Sequence, residues 1–325
     1  MKQFINAKED MVTEAIDGTI AASGGTLTRL DGYPHIRVVV RADWDKSKVA
    51  LVTGGGSGHE PAHAGFIGKG MLTAAVCGDV FASPSADAVL AGILAVTGHS
   101  GCLLIVKNYT GDRLNFGLAA ERARAFGHKV SMVIVDDDIA LPDLPQARGL
   151  AGTLFVHKIA GAMAENGADL DACTLTAERV IDASRSIGMS LDTCTVPESP
   201  KENRIPHGMA ELGLGIHGEA GIEQVASNGA ADAISKVTDR LVATMSEGPH
   251  AVLINNLGAA SVLEMSILTH SLLSGEITDQ IKFIVGPAAL MTALDMHGFS
   301  VSVMALSKGD DTLLSQSTTA PAWPG

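Results

Sequence analysis

Short, nearly unbroken apolar runs alternate with longer segments of helical periodicity along this chain, and that alternation limits its fold more than any other feature. Residues 49–53, 102–107, 130–135, 251–255, 282–285 and 300–306 are short and aliphatic, and they read as buried strands. Residues 112–126, 153–166, 175–187, 226–245, 259–273 and 288–296 carry apolar side chains at helical spacing. Such alternation predicts an α/β protein with sheets layered by helices. At 325 residues the chain exceeds the usual single-domain size. Two α/β domains are expected, 1–183 and 184–325, with the polar, Pro-containing stretch 193–207 as a surface excursion near the junction.

Charge and composition exclude several function classes. The net charge is −13 at pH 7 and no Lys/Arg cluster interrupts it, so nucleic acid and anionic membrane are poor partners. Only 4% of residues are aromatic, too few for a base-stacking surface. Cys77, Cys102, Cys173 and Cys194 are far apart and form no C-x-x-C pair, so no disulfide framework is implied. Cys77 and Cys102 lie in apolar runs and read as small buried hydrophobes. The N-terminal "MKQFINAKEDMVTEAIDG" is polar rather than a signal peptide, and no apolar run reaches a membrane span. A soluble cytoplasmic protein is expected.

The stretch "GGGSGHEPAH", residues 54–63, follows the first predicted strand and allows several readings. As H-E-x-x-H it would hold zinc between His59 and His63, with Glu60 as base, but only on a continuous helix. Pro61 and the glycines before His59 oppose that helix; any helix begins near His59, which places His63 one turn in as a structural residue. A Walker loop fails because no Gly-Lys is followed by Ser or Thr, and the dinucleotide pattern meets His59 or Pro61 where it needs its third glycine. Two readings remain: a glycine-rich turn with no ligand, or a small-molecule site at a strand's carboxyl end. There, backbone N–H groups together with Ser57 and His59 would suit a compact, hydroxyl-rich molecule.

Two further polar islands follow the same logic. In "LLIVKNYTGDRLNF" a strand runs into Lys107 and then a helix, where Asp112 is either a helix N-cap or a general base beside His59. In "GLGIHGEAGIE" His217 sits between Gly215 and Gly218, with Glu219 following. A lone His is usually structural, but glycines open both sides of this one to a ligand, and a neutral imidazole is a nucleophile for an electrophilic carbonyl.

These three islands, with "VDDD" at 135–138, "NNLGA" at 255–259 and "LDMHGFSVSVM" at 294–304, resemble the dihydroxyacetone kinases, and more narrowly their substrate-binding subunit. The resemblance covers nearly the whole chain. It implies a two-domain α/β subunit, commonly a homodimer, that binds dihydroxyacetone covalently. On the matching motifs it implies that His217 attacks the ketone to form a hemiaminal and that Asp112 is base toward the hydroxyl to be phosphorylated. His59 would assist by hydrogen bonding, and Gly56, Ser57, Gly58 and Lys107 would contact substrate. It implies no metal or cofactor in this chain. Mg-ADP or Mg-ATP would sit on a separate nucleotide-binding kinase subunit, because no nucleotide-binding helical domain follows Trp323, and a phosphotransferase-system subunit could recharge that nucleotide.

The chain departs from the family where Ala220-Gly221 replaces a usual Pro-Gly, where "SEGPHA" is short, and in "VGPAALMTALDMHG". Another short ketose, such as erythrulose, therefore stays open as substrate. A ketose-binding regulatory module without turnover is the alternative function.

Overall fold

The computed structural model describes every residue except 1–2, 31, 34–35, 142–146 and 325. Strands β1 (Leu27–Arg29), β2 (Val38–Arg41), β3 (Ala50–Ser57), β4 (Ala74–Val80), β5 (Cys102–Lys107) and β6 (Val130–Val135) form one sheet in the order β1-β2-β4-β3-β5-β6. Helices α1 (Met11–Ala22), α2 (Ala86–Val96), α3 (Thr110–Ala125), α4 (Thr153–Glu165) and α5 (Leu170–Asp182) accompany it. The second sheet is β11-β10-β12-β7-β8-β9, built from β7 (Ser184–Ser190), β8 (Met209–Leu212), β9 (Glu223–Ala226), β10 (His250–Asn256), β11 (Ile281–Ala288) and β12 (Gly298–Ala305). Helices α6 (Ala230–Val242), α7 (Val262–Leu273) and α8 (Asp310–Ser315) complete the chain. The α/β class is as expected.

The apolar runs are unbroken because the central strands bury both faces. In β5, Leu104 and Val106 enter a core shared with α2 and α3, through Leu90, Ile93 and Phe116. Leu103 and Ile105 point the other way, into a core with Phe155 and Ile159 of α4. That second core also takes Ala251 and Leu253 of β10, so it joins the two sheets. Val252 and Ile254 of the same strand face a third core with Leu241 of α6 and Leu268 of α7. Fully burying each such Leu or Ile contributes about 1.5–3 kcal/mol, which fixes the strand registers firmly.

Strands β3, β5 and β6 run parallel, so their carboxyl ends share one edge of the sheet. From that edge emerge the glycine turn, Lys107 and the 135–138 carboxylates. Ligands bind at such edges in open α/β sheets.

The expected helix over 288–296 does not form. Asn255 Oδ1 accepts the backbone N–H groups of Leu290 and Met291 at 3.0 and 2.9 Å, while its Nδ2 donates to Met291 O at 2.7 Å. Those bonds hold the segment open, and Leu294 N–H then reaches Gly58 O at 2.8 Å. The helical pattern over 175–187 is likewise cut short. Asp169 caps α5 by accepting Ala172 N–H, and Ile187 belongs to β7. The turn after His59 is not helical either: His63 precedes only a short 3-10 turn, Ala64–Phe66.

Candidate active site

The site begins where β3 ends. All eight residues of β3 are buried, and its glycines are required by what presses on them. Gly55 has φ 149°, and a Cβ there would lie 3.0 Å from Lys107 Nζ and 3.4 Å from an Asp112 carboxylate oxygen. The amine and the carboxylate thus converge on one backbone point. A Cβ on Gly56 would meet Ala82 N at 2.6 Å. Next to it Phe81 takes a left-handed backbone, φ 57°, a conformation costing a non-glycine residue about 1–3 kcal/mol. A bond from Phe81 N–H to Ser57 O, 2.9 Å, helps hold it.

His59 is fully buried. Its Nδ1 is 2.8 Å from Thr292 O, and because a carbonyl only accepts, Nδ1 carries the hydrogen. Nε2 therefore presents a lone pair, and it has no partner among the described residues. Burial holds this imidazole well below the ordinary histidine range, with the charges of His217 and Lys107 adding to the effect. The ring stacks on Phe81, centroids 5.2 Å apart, and meets His217 edge-on at 4.7 Å.

His217 comes from the loop after β8, across the interface between the sheets. Tyr109 packs edge-on against it at 4.4 Å and Phe81 at 5.3 Å. Glu219 accepts the His217 backbone N–H at 2.9 Å, and its other oxygen lies 3.3 Å from Nδ1. A carboxylate on Nδ1 leaves Nε2 as the free lone pair. Burial alone would raise Glu219, but the hydrogen bond and charge of His217 and nearby backbone N–H groups outweigh it, holding the carboxyl at about 2. A chain of contacts fixes the loop: Arg148 Nε donates to Asp138 Oδ2 at 2.5 Å, and Arg148 Nη2 donates to Gly213 O at 2.7 Å.

Lys107 ends β5, and Asp112 stands in the first turn of α3; both are buried. The N-cap position of α3 is Tyr109, which makes no side-chain cap bond, so capping does not explain Asp112. Burial pulls Lys107 below its ordinary range, and the carboxylates of Asp112 and Asp137 push back. Its Nζ lies 2.8 Å from His63 Nε2.

The structure therefore brings His59, His217, Asp112 and Lys107 to one place around Gly55, Tyr109 and Phe81. Two of the glycine-turn candidates are already engaged: Ser57 Oγ donates to Gly78 O at 2.8 Å, and Gly58 N–H donates to Glu60 Oε2 at 2.9 Å. Gly56 lines a cavity of about 340 Å³ with Gly55, Glu60, His63 and Cys77. Phe81, Tyr109, Thr292 and Arg148 were not anticipated. Tyr109 stood inside the "NYTGD" motif, whereas Thr292 and Arg148 are distant in sequence and carry no local signal. Among the described residues, no group of three or more His, Cys, Asp or Glu is placed to hold a metal, and no helix is long and apolar enough to cross a membrane.

A family model described as the Dak1 domain matches residues 17–322. The chain is 52% identical over 324 residues to a Citrobacter freundii protein named dihydroxyacetone kinase, covering 99% of this chain and 59% of that protein. The crystal structure of the native C. freundii kinase superposes with a TM-score of 0.97 at 51% identity, covering 99% of this chain and 60% of that one. A Listeria innocua protein named PTS-dependent dihydroxyacetone kinase 1, dihydroxyacetone-binding subunit DhaK, is 40% identical over 316 residues, 94% of each chain. A dihydroxyacetone kinase operon co-activator superposes at a TM-score of 0.90 with 28% identity, covering 95% of this chain and 97% of that one. On this breadth of identity, and with the domain match spanning both sheets, the chain belongs to the dihydroxyacetone kinase family through its Dak1 domain.

Proposed function

We propose that this chain is the ketose-binding unit of a dihydroxyacetone kinase, which captures its substrate as a hemiaminal on His217 and presents a hydroxyl for phosphorylation. The observation that carries this reading is the His217 imidazole. Its Nδ1 faces Glu219, its Nε2 is left with a lone pair, and its ring meets His59, whose own free nitrogen is an acceptor. Nε2 bonds to the carbonyl carbon, the carbonyl π pair moves to oxygen, solvent supplies a proton to that oxygen, and the Nδ1 proton leaves through Glu219 to solvent. The product has the composition of protein plus ketone. The new hydroxyl donates to His59 Nε2. Capture places a terminal hydroxyl near Asp112, which accepts its proton as the phosphoryl group arrives, with Lys107 balancing the charge that develops.

The C. freundii and L. innocua names support dihydroxyacetone as substrate, and erythrulose fits the same chemistry. We place the nucleotide, Mg-ATP or an Mg-ADP that a phosphotransferase-system subunit recharges, on a separate nucleotide-binding unit, and read the protein as a cytoplasmic homodimer whose domains divide at 183/184, where β7 begins. Glycerol has no carbonyl and should not be captured.

Intact mass spectrometry tests the reading. Wild type mixed with dihydroxyacetone should gain the mass of one ketone, and His217→Ala should not. Adding a nucleotide-binding unit and ATP should then yield phosphorylated product. An adduct that persists in His217→Ala refutes the nucleophile. Capture without product from any such unit would favour a regulatory role like that of the co-activator.

A further inference from the structure

We infer that His63 is the positioning residue for Lys107, holding its ammonium in the site and away from the Asp112 carboxylate. The inference rests on the proposed role of Lys107 beside the captured ketose. His63 Nε2 lies 2.8 Å from Lys107 Nζ, and both side chains are buried, 5% and 1% exposed. A buried ammonium must find acceptors for its hydrogens. Among the described residues His63 is the one hydrogen-bond partner of Nζ. The Asp137 oxygens are occupied by Leu150 N–H at 2.7 Å, Gly152 N–H at 2.9 Å and the Ser186 hydroxyl.

An ammonium only donates, so His63 must offer its Nε2 lone pair and carry hydrogen on Nδ1. The ring is held for this: His157 of α4 packs edge-on against it, centroids 5.2 Å apart. Burial keeps His63 neutral, and the nearby Lys107 charge reinforces that. The groups facing Lys107 are His63 and His59 from the glycine turn, Asp112 from α3, Asp137 after β6 and His157 from α4. Only Asp112 and Asp137 bring negative charge, and Asp137 is already engaged. Without His63 the ammonium has one strong acceptor left, Asp112. Pairing with Lys107 would weaken that carboxylate as a base and draw Nζ away from the ketose.

The test compares His63→Leu, which removes the acceptor, with His63→Gln, which keeps an amide oxygen there. In His63→Leu the His217 adduct should still form at saturating ketone, while kcat with the nucleotide-binding unit falls about tenfold to a hundredfold. The alkaline limb of kcat/KM should move to higher pH, because an ammonium paired with the Asp112 carboxylate holds its proton more tightly. His63→Gln should restore both. Equal losses in the two variants with an unmoved pH profile would mean that His63 only fills space, and the inference fails. Nitrogen NMR of the wild-type protein supplies an arm independent of folding in the variants and of turnover. Nε2 of His63 should read as the bare acceptor nitrogen and Nδ1 as protonated, and the opposite tautomer overturns the inference even if the kinase reading stands.

Discussion

The imidazole of His59, at the end of a strand in the first sheet, meets the imidazole of His217, from a loop of the second, edge to face with centroids 4.7 Å apart. One ring has its free lone pair fixed by Thr292, the other by Glu219, so each nitrogen is assigned a different task before substrate arrives. Replacing His59 by Ala removes the acceptor for the hemiaminal hydroxyl but not the nucleophile. Adduct occupancy in a ketone titration should weaken about fivefold to tenfold, the worth of one hydrogen bond of about 1 kcal/mol, without disappearing.

Asp112→Asn should separate capture from chemistry. The amide preserves size but accepts a proton poorly, so turnover should fall by about 10²–10⁴-fold while the mass adduct is unchanged. A parallel loss of adduct would show that Asp112 binds the ketose rather than serving as base.

Gly55→Ala puts a methyl group where Lys107 Nζ and the Asp112 carboxylate converge, at φ 149°. The backbone strain should cost about 1–3 kcal/mol in urea unfolding. Activity should fall further than that cost explains, because the methyl displaces both functional groups. Wild-type kcat in a folded Gly55→Ala protein would contradict the geometry.

Arg148→Met breaks the link from Asp138 to Gly213 and leaves a buried carboxylate unpaired. A loss of about 3 kcal/mol in stability is expected. At a temperature where both proteins are folded, adduct formation by the variant should still be slower, since the His217 loop has lost its anchor. Equal capture rates would confine Arg148 to stability.

Asp137 gives the protein a pH dependence of unusual sign. Burial lifts its carboxyl from 3.8 to about 6. Between those values the folded chain keeps a proton that the unfolded chain has released. This carboxyl's contribution to stability is therefore fullest below about pH 4 and declines by about 3 kcal/mol as pH rises through 6. Urea unfolding of wild type and Asp137→Asn across that range should show wild type losing about 3 kcal/mol relative to the variant toward neutral pH, and a constant difference would refute the assignment.

The sequence made the central strands legible because burial on both faces writes an uninterrupted apolar run, as in Cys102–Val106 of β5. The strands it hid, such as β4 and β7, are diluted by Gly, Ser and Asp that fit only in the assembled sheet. The pattern at 288–296 looked helical because its apolar residues recur at helical spacing. Asn255, far upstream, overrides that preference with bonds no local window contains. The site divides in the same way. His59, Asp112 and His217 lie in short polar islands and could be picked out, whereas His63 looked structural because Lys107, the residue that gives it a task, lies 44 positions away.

The contacts running from Asp138 through Arg148 to Gly213 give the two halves of the chain a seam that is chemical as well as mechanical. A hybrid of two relatives joined near residue 183 would inherit intact strands, an intact base and an intact nucleophile. It would work only if the guanidinium of one parent seats the loop of the other. Compatibility between donors is thus written in residues that never touch the ketose, and an engineer changing substrate preference should recombine 138, 148 and 213–219 as one block.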